Sequence, residues 1–129
     1  LICYEVIFPN LIKKNLKYHI IVNITNDGWY GKSFGPHQHL ALSKIRAVEE
    51  GKIILRVANT GISAIINYNG NIISSLKLGQ TGIIDKTIKV VEKQTPYKKY
   101  GDRLFYVFIG VLCFYLIAFR EILIRRIYS

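Results

Sequence analysis

The sequence predicts an α/β layered fold over residues 1–95, followed by one membrane-crossing helix. Three observations predict it. Short apolar, β-branched runs alternate with segments of helical period up to residue 91. Asn69-Gly70 separates two of the later runs, as a hairpin turn would. Residues 104–119 then carry no charge at all.

Residues 1–7 (LICYEVI) are apolar and β-branched and read as a buried strand closed by Pro9. Residues 10–18 suit a short helix, with Leu11, Ile12 and Leu16 at helical spacing. Residues 19–25 (HIIVNIT) form a second buried strand. Residues 26–36 (NDGWYGKSFGP) are a loop with three glycines and a proline. Pro36 can open a helix over residues 37–50, on which Ala41, Ile45 and Val48 share the apolar face. Gly51 stops it. Residues 52–58 (KIILRVA) are a third strand, and residues 63–68 and 71–76 flank the hairpin turn. Residues 82–91 are a last strand with only partial alternation. Parallel strands joined by helices, then an antiparallel edge, are expected.

The chain has 129 residues and is half apolar, enough for one domain with a real core. It contains no methionine and opens on Leu1, so a piece of a longer gene product is expected. The net charge of +10 divides as +6 over residues 1–95 and +4 over residues 96–129. Its lysines are scattered as singles and pairs, without an arginine-rich arm, which argues against a nucleic-acid partner. Cys3 and Cys113 sit in unlike settings, and no C-x-x-C spacing occurs, so neither a disulfide nor a metal site is expected.

Residues 96–103 form a polar connector. The uncharged run of residues 104–119 spans ~24 Å as a helix, short of the ~30 Å hydrocarbon core. Arg103 and Arg120 bracket it and can snorkel, and Ile122, Leu123 and Ile124 extend it. A transmembrane helix over residues 104–124 with a basic tail over residues 125–129 is the expectation; a buried core helix is the alternative. Cys113 would then lie inert in lipid. Basic residues flank both ends, so charge does not set the orientation.

Cys3, at a strand end before a helix, is placed as a nucleophile often is: the sharp turn exposes the thiol, and the next N–H can stabilise an oxyanion. A thiolate attacking a carbonyl gives a thioester and splits acyl transfer into two easier steps. The bland alternative is a small buried hydrophobe. Glu5, two residues on, would share the face of Cys3 in a strand. It would serve the site or form a salt bridge.

Ile2-Cys3-Tyr4-Glu5 with Phe8-Pro9 resembles the cysteine motif of the nitrilase (carbon–nitrogen hydrolase) superfamily. Residues 26–31 (NDGWYG), 35–39 (GPHQH), 46–51 (RAVEEG) and 56–63 (RVANTGIS) extend the likeness from Ile2 to about Gly82. Together they resemble the membrane branch of that superfamily, the apolipoprotein N-acyltransferase family. The resemblance implies the C-terminal part of a nitrilase-type αββα sandwich followed by one transmembrane helix. It implies transfer of an acyl chain from a phospholipid to the N-terminal amine of a diacylglyceryl-cysteine lipoprotein, through a thioester on Cys3. The Tyr4 N–H would help hold the oxyanion, and Glu5 would be the supporting carboxylate. Trp29 and Tyr30 would meet lipid substrate on a loop whose glycines permit lid motion; surface aromatics without a role are the alternative reading. No cofactor or metal is implied. The partners would be the phospholipid donor, the apolipoprotein acceptor and the inner membrane, with the globular part facing the periplasm.

The family's glutamate base and lysine lie upstream of its cysteine, and only two residues precede Cys3 here. No residue of this chain matches them, so an upstream chain would have to supply them, and no turnover is expected from this polypeptide by itself. A carbon–nitrogen hydrolase acting on small amides, and a non-catalytic remnant of a split gene, are the competing readings. His37 and His39 are two apart and lack a third ligand; loop packing is the better reading. Arg56 and Asn59 either hold the active-site loop or satisfy backbone groups.

Overall fold

The computed structural model describes residues 1–12 and 17–127; the side chains of Asn10 and of residues 121–127 are outside the description. The chain divides into two compact units, Leu1–Lys98 and Lys99–Ser129.

The first unit is built on one four-stranded sheet: β1 (Ile20–Asn26), β2 (Ile53–Asn59), β3 (Ser63–Ile66) and β4 (Ile72–Leu76), in that spatial order. β1 and β2 run parallel, with Ile20 opposite Ile53 and Asn26 opposite Asn59. The later pairings are antiparallel. Helix α1 (Gly35–Glu50) is the crossover that the parallel pair requires. Pro36 lies in its first turn, and Gly51 ends it in the left-handed conformation, φ 63°. The mixed α/β class and the order of these elements agree with the sequence.

Ile21, Leu40, Ala47, Ile54, Ile62, Ala64 and Ile66 form the buried core. β1 alternates strictly, burying Ile21, Asn23 and Thr25 on one face and leaving Val22 and Ile24 exposed on the other. The buried face therefore carries two polar side chains in sequence positions that an apolar core would fill.

Several expectations fail. Residues 1–7 are not a strand: only Ile2 bridges in parallel to Ile24, and Cys3–Ile7 is a 3₁₀ helix. The extended run breaks because Cys3 turns to φ 47°, outside any strand. Residues 9–11 make one further 3₁₀ turn, and residues 13–16 of the expected helix lie outside the described residues. On α1, Ala41, Ile45 and Val48 are exposed, while His39, Ser43, Arg46 and Glu50 are buried with Leu40 and Ala47. The helix turns its polar face inward because partners wait for it there.

The hairpin exists, but with a longer loop. Asn67 and Asn71 pair through Asn67 N–H donating to the Asn71 carbonyl at 2.9 Å, leaving Tyr68, Asn69 and Gly70 as the turn. The Asn67 side-chain oxygen accepts from the N–H of both Asn69 and Asn71. Residues 82–91 form no strand; Ile84 and Ile88 are half-buried, and together with Leu55, Val57, Ile65 and Leu76 they line a groove on the sheet. The partial alternation gives this segment only two residues to bury.

The connector also contains structure. Helix α2 (Pro96–Tyr100) is a short helical segment. Thr95 caps it, with the Lys98 N–H donating to Oγ1 at 3.1 Å. Glu92 pairs with Lys52 at 2.8 Å and with His19, and the Lys93 N–H donates to the Gly51 carbonyl, which holds this stretch to the end of α1.

In the second unit, α3 (Arg103–Ile127) is a single helix of 25 residues, ~38 Å long. Its window Arg103–Arg120 has a mean hydropathy of 1.8, with none of it buried. It is long and apolar enough to cross a membrane. Phe105, Phe108 and Phe114 are exposed on it, as is Cys113.

Candidate active site

Cys3 stands where the Leu1–Ile2 stretch leaves the sheet. The Ile24 N–H donates to the Leu1 carbonyl at 3.0 Å, which ties this stretch to β1. At Cys3 the backbone enters the left-handed region and passes directly into the 3₁₀ turn. For a residue with a side chain that conformation costs ~1–2 kcal/mol. Cys3 is partly accessible there. A single parallel bridge at Ile2, a left-handed residue at Cys3 and a 3₁₀ turn follow one another here.

Side chains distant in sequence hold the turn in place. Asn23 Nδ2 donates to the Cys3 carbonyl at 3.3 Å and to the Leu1 carbonyl at 3.4 Å. Arg46 donates from Nε to the Val6 carbonyl and from Nη2 to the Ile7 carbonyl, both at 3.1 Å. Within the turn, Glu5 does not share a face with Cys3. Its exposed carboxylate accepts the Ile2 N–H at 2.7 Å, closing the turn on itself.

Behind the turn lies a buried polar network centred on Arg56. Its Nη2 donates to Asp27 Oδ2 at 2.6 Å, and its Nη1 donates to Asn23 Oδ1 at 2.6 Å and to Ser43 Oγ at 3.1 Å. Nε donates to the Ile62 carbonyl at 3.3 Å. Burial lowers the Arg56 pKa from the ordinary guanidinium value, and the charge and hydrogen bond of Asp27 oppose that shift. The other Asp27 oxygen accepts from Thr25 Oγ1 at 3.2 Å and from His39 Nδ1 at 2.8 Å. Gly61 packs against this carboxylate: a Cβ there would fall 2.4 Å from Oδ2. Among the described residues, His39 Nε2 is buried without a hydrogen-bond partner.

The network reaches the turn a second time through aromatic rings. Tyr4 stacks on the His39 ring, centroids 5.0 Å apart and planes 14° apart. It also meets Tyr30 edge-on at 6.1 Å. The structure thus brings Cys3, Tyr4, Glu5 and Tyr30 together. Trp29, one residue away, projects outward with 88% of its surface exposed, and Phe34 is 82% exposed on the same loop. His37 lies beside the Phe34 ring rather than with His39. Among the described residues, no three His, Cys, Asp or Glu side chains are grouped as a metal ion requires.

Sequence reasoning named Cys3, Tyr4, Glu5, Trp29 and Tyr30 but missed Asn23, Asp27, His39 and Arg46 as supports of the turn. The hydrogen bonds of Arg56 run both to Asn23, which binds the turn, and to a backbone carbonyl, that of Ile62. A signal was present: Asn23, Thr25 and Arg56 interrupt otherwise apolar strands, and a buried polar side chain needs a partner.

The class of protein defined here is a mixed α/β fold in which a buried ion pair on the sheet stands behind a strained cysteine turn. The family model for carbon–nitrogen hydrolases matches residues 1–97, and the chain belongs to that family. It is similar to the apolipoprotein N-acyltransferase of Caulobacter vibrioides, with 44% identity over 111 residues, covering 84% of this chain and 21% of that protein. The apolipoprotein N-acyltransferase of Rickettsia bellii is 48% identical over 104 residues, 79% of this chain and 21% of its own length. That of Nitrosomonas europaea is 39% identical over 112 residues, 86% of this chain and 22% of its own length. The chain therefore spans about a fifth of the length of the curated relatives it matches.

Proposed function

We propose that this chain carries the nucleophile of an N-acyltransferase that moves an acyl chain from a phospholipid to the N-terminal amine of a diacylglyceryl-cysteine lipoprotein. The observation that carries this reading is the left-handed backbone of Cys3 directly after the Ile2–Ile24 bridge, in a chain similar over most of its length to proteins named for that activity. The Cys3 thiolate attacks the ester carbonyl of the donor, and the lysophospholipid alkoxide leaves with a proton. The acceptor amine then attacks the thioester and loses a proton, and the thiolate departs, free again. The Tyr4 N–H stabilises the oxyanion in both steps. Glu5 acts from beside the nucleophile by keeping the turn closed. Trp29 forms the lipid-facing edge, as suits an exposed aromatic, and Tyr30 binds substrate between it and the Tyr4 ring.

In this reading residues 1–95 are part of the catalytic domain, residues 96–103 the connector, residues 104–124 the membrane anchor and residues 125–129 a basic tail. The anchor lies in the inner membrane with the catalytic part on the periplasmic side. In this reading an upstream polypeptide supplies the proton-transfer groups.

The test is acyl labelling. The chain is reconstituted in phospholipid vesicles carrying a labelled acyl group, together with a polypeptide supplying the upstream segment of a relative. A hydroxylamine-sensitive label on Cys3, absent from Cys3→Ala and discharged by a diacylglyceryl-cysteine peptide, is expected. A Cys3 that stays unlabelled there but reacts with small amides would replace the acyltransferase by an amidase. No adduct with either donor would leave a non-catalytic scaffold.

A further inference from the structure

The Asn23 side chain has its orientation imposed on it. Arg56 has donors and no acceptor, so its 2.6 Å contact with Asn23 fixes the amide oxygen toward the guanidinium. The amide nitrogen is left facing the opposite way, where it meets the carbonyls of Leu1 and Cys3. Asn23 is fully buried, and Asp27 and Ser43 in turn hold the Arg56 guanidinium. The amide therefore cannot flip without losing a buried charge-assisted hydrogen bond.

The Cys3 carbonyl and the Tyr4 N–H belong to one peptide. No peptide among the described residues is cis, so the two groups point in opposite directions across a rigid plane. A bond to the carbonyl on one edge thus aims the N–H on the other. This matters at Cys3 more than elsewhere, because its φ of 47° places the peptide in a narrow and strained well. Stacking of the Tyr4 ring on His39 limits rotation from the far side.

We propose that Asn23, oriented by Arg56, is a positioning residue for acyl transfer: by holding the Cys3 carbonyl it aims the Tyr4 N–H at the oxyanion. Oxyanion donors act only when they already point at the place where charge develops. Asn23 touches no substrate and works through the Cys3–Tyr4 peptide. This role rests on the reading of Cys3 as an acylated nucleophile.

The test compares two reactions of the same sulfur. Iodoacetamide is attacked at a saturated carbon and needs no oxyanion donor; p-nitrophenyl decanoate is acylated through a tetrahedral oxyanion. The full chain carrying Cys113→Ala is used in detergent micelles, so that Cys3 is the sole thiol. Adducts are followed by mass spectrometry, and each rate is expressed per thiolate from its own pH profile. Asn23→Asp keeps an oxygen for Arg56 but has no N–H for the Cys3 carbonyl. It should slow acylation about tenfold or more while alkylation stays within about twofold. Asn23→Ala should do the same if it folds by circular dichroism, and the Asp variant decides if it does not. Equal loss of both reactions would reduce Asn23 to a support of the turn and overturn the proposal, as would no change in either. If Cys3 of the unsubstituted chain alkylates but acylates no faster than free cysteine, the nucleophile reading itself fails and takes this role with it.

Discussion

Arg56 and Asp27 form an ion pair of 2.6 Å in which neither side chain has any solvent exposure. The partners of Arg56 come from β1, the following loop, α1 and the β2–β3 turn, so one guanidinium ties these four segments together. Breaking such a pair from one side strands the other charge in a medium that cannot solvate it. Arg56→Leu should therefore cost about 3–5 kcal/mol of stability, read from urea unfolding followed by circular dichroism in micelles. Adding Asp27→Leu to Arg56→Leu should recover part of that loss. A double variant no more stable than the single one would show that the remaining hydrogen bonds, not the stranded charge, set the cost.

The strain at Cys3 has its own signature. A left-handed backbone penalises any residue with a Cβ and spares glycine. Both Cys3→Ala and Cys3→Gly remove the thiol, so their difference isolates the backbone. Cys3→Gly should be the more stable by about 1 kcal/mol in the same unfolding measurement. The reverse order would place Cys3 in an ordinary extended conformation and remove the turn on which the thiol is presented.

These two residues also show what a sequence can and cannot disclose. β1, α1 and β2 were legible because apolar runs and helical spacing report local geometry. The strand expected over residues 1–7 failed at one backbone angle. That angle is held by Asn23 and Arg46, 20 and 40 positions away from the carbonyls they bind. The apolar face assigned to α1 failed for a related reason: Ile45 yields the interior to Ser43 and Arg46, whose hydrogen bonds run to Arg56 and to the turn. Cys3, Tyr4 and Glu5 were legible through their motif. The network behind them was not, because spacing says nothing about which distant strand a buried arginine will meet.

Tyr18 links stability to alkaline pH. Burial raises its phenol above the ordinary value, and the hydrogen bond to and charge of Glu50 raise it further. Lys98 lies over the same ring, so this contact pins residues 92–98 to the end of α1. A group with a raised folded pKa contributes fully below its unfolded value. The contribution is lost as pH climbs past that value, because the unfolded chain gives up its proton first. For a phenol the loss begins near pH ~10. Between about pH 8 and about pH 11 the urea midpoint of the chain should fall more steeply than that of Tyr18→Phe. Parallel declines would mean that Tyr18 titrates as it does in water.

Trp29 is the single tryptophan of the chain, which makes its surroundings directly measurable. Soluble proteins seldom leave a large aromatic side chain 88% exposed without a surface for it to meet. Phe34 at 82% exposure lies five residues further along the same loop, and Tyr30 between them turns back to Tyr4 and the nucleophile turn. Under the proposed function, this loop, which contacts the Cys3 turn through one aromatic and offers two more to the outside, is the part that meets lipid. In vesicles, Trp29 emission should be quenched by lipids brominated near the head of the acyl chain more than by those brominated near its end. An indole at the interface lies at that depth. Phe34→Ser should weaken the quenching by loosening the loop's hold on lipid. Emission that is untouched by either lipid, yet fully quenched by iodide in water, would remove Trp29 and Phe34 from the lipid path and leave Tyr30 as the loop's only link to the site.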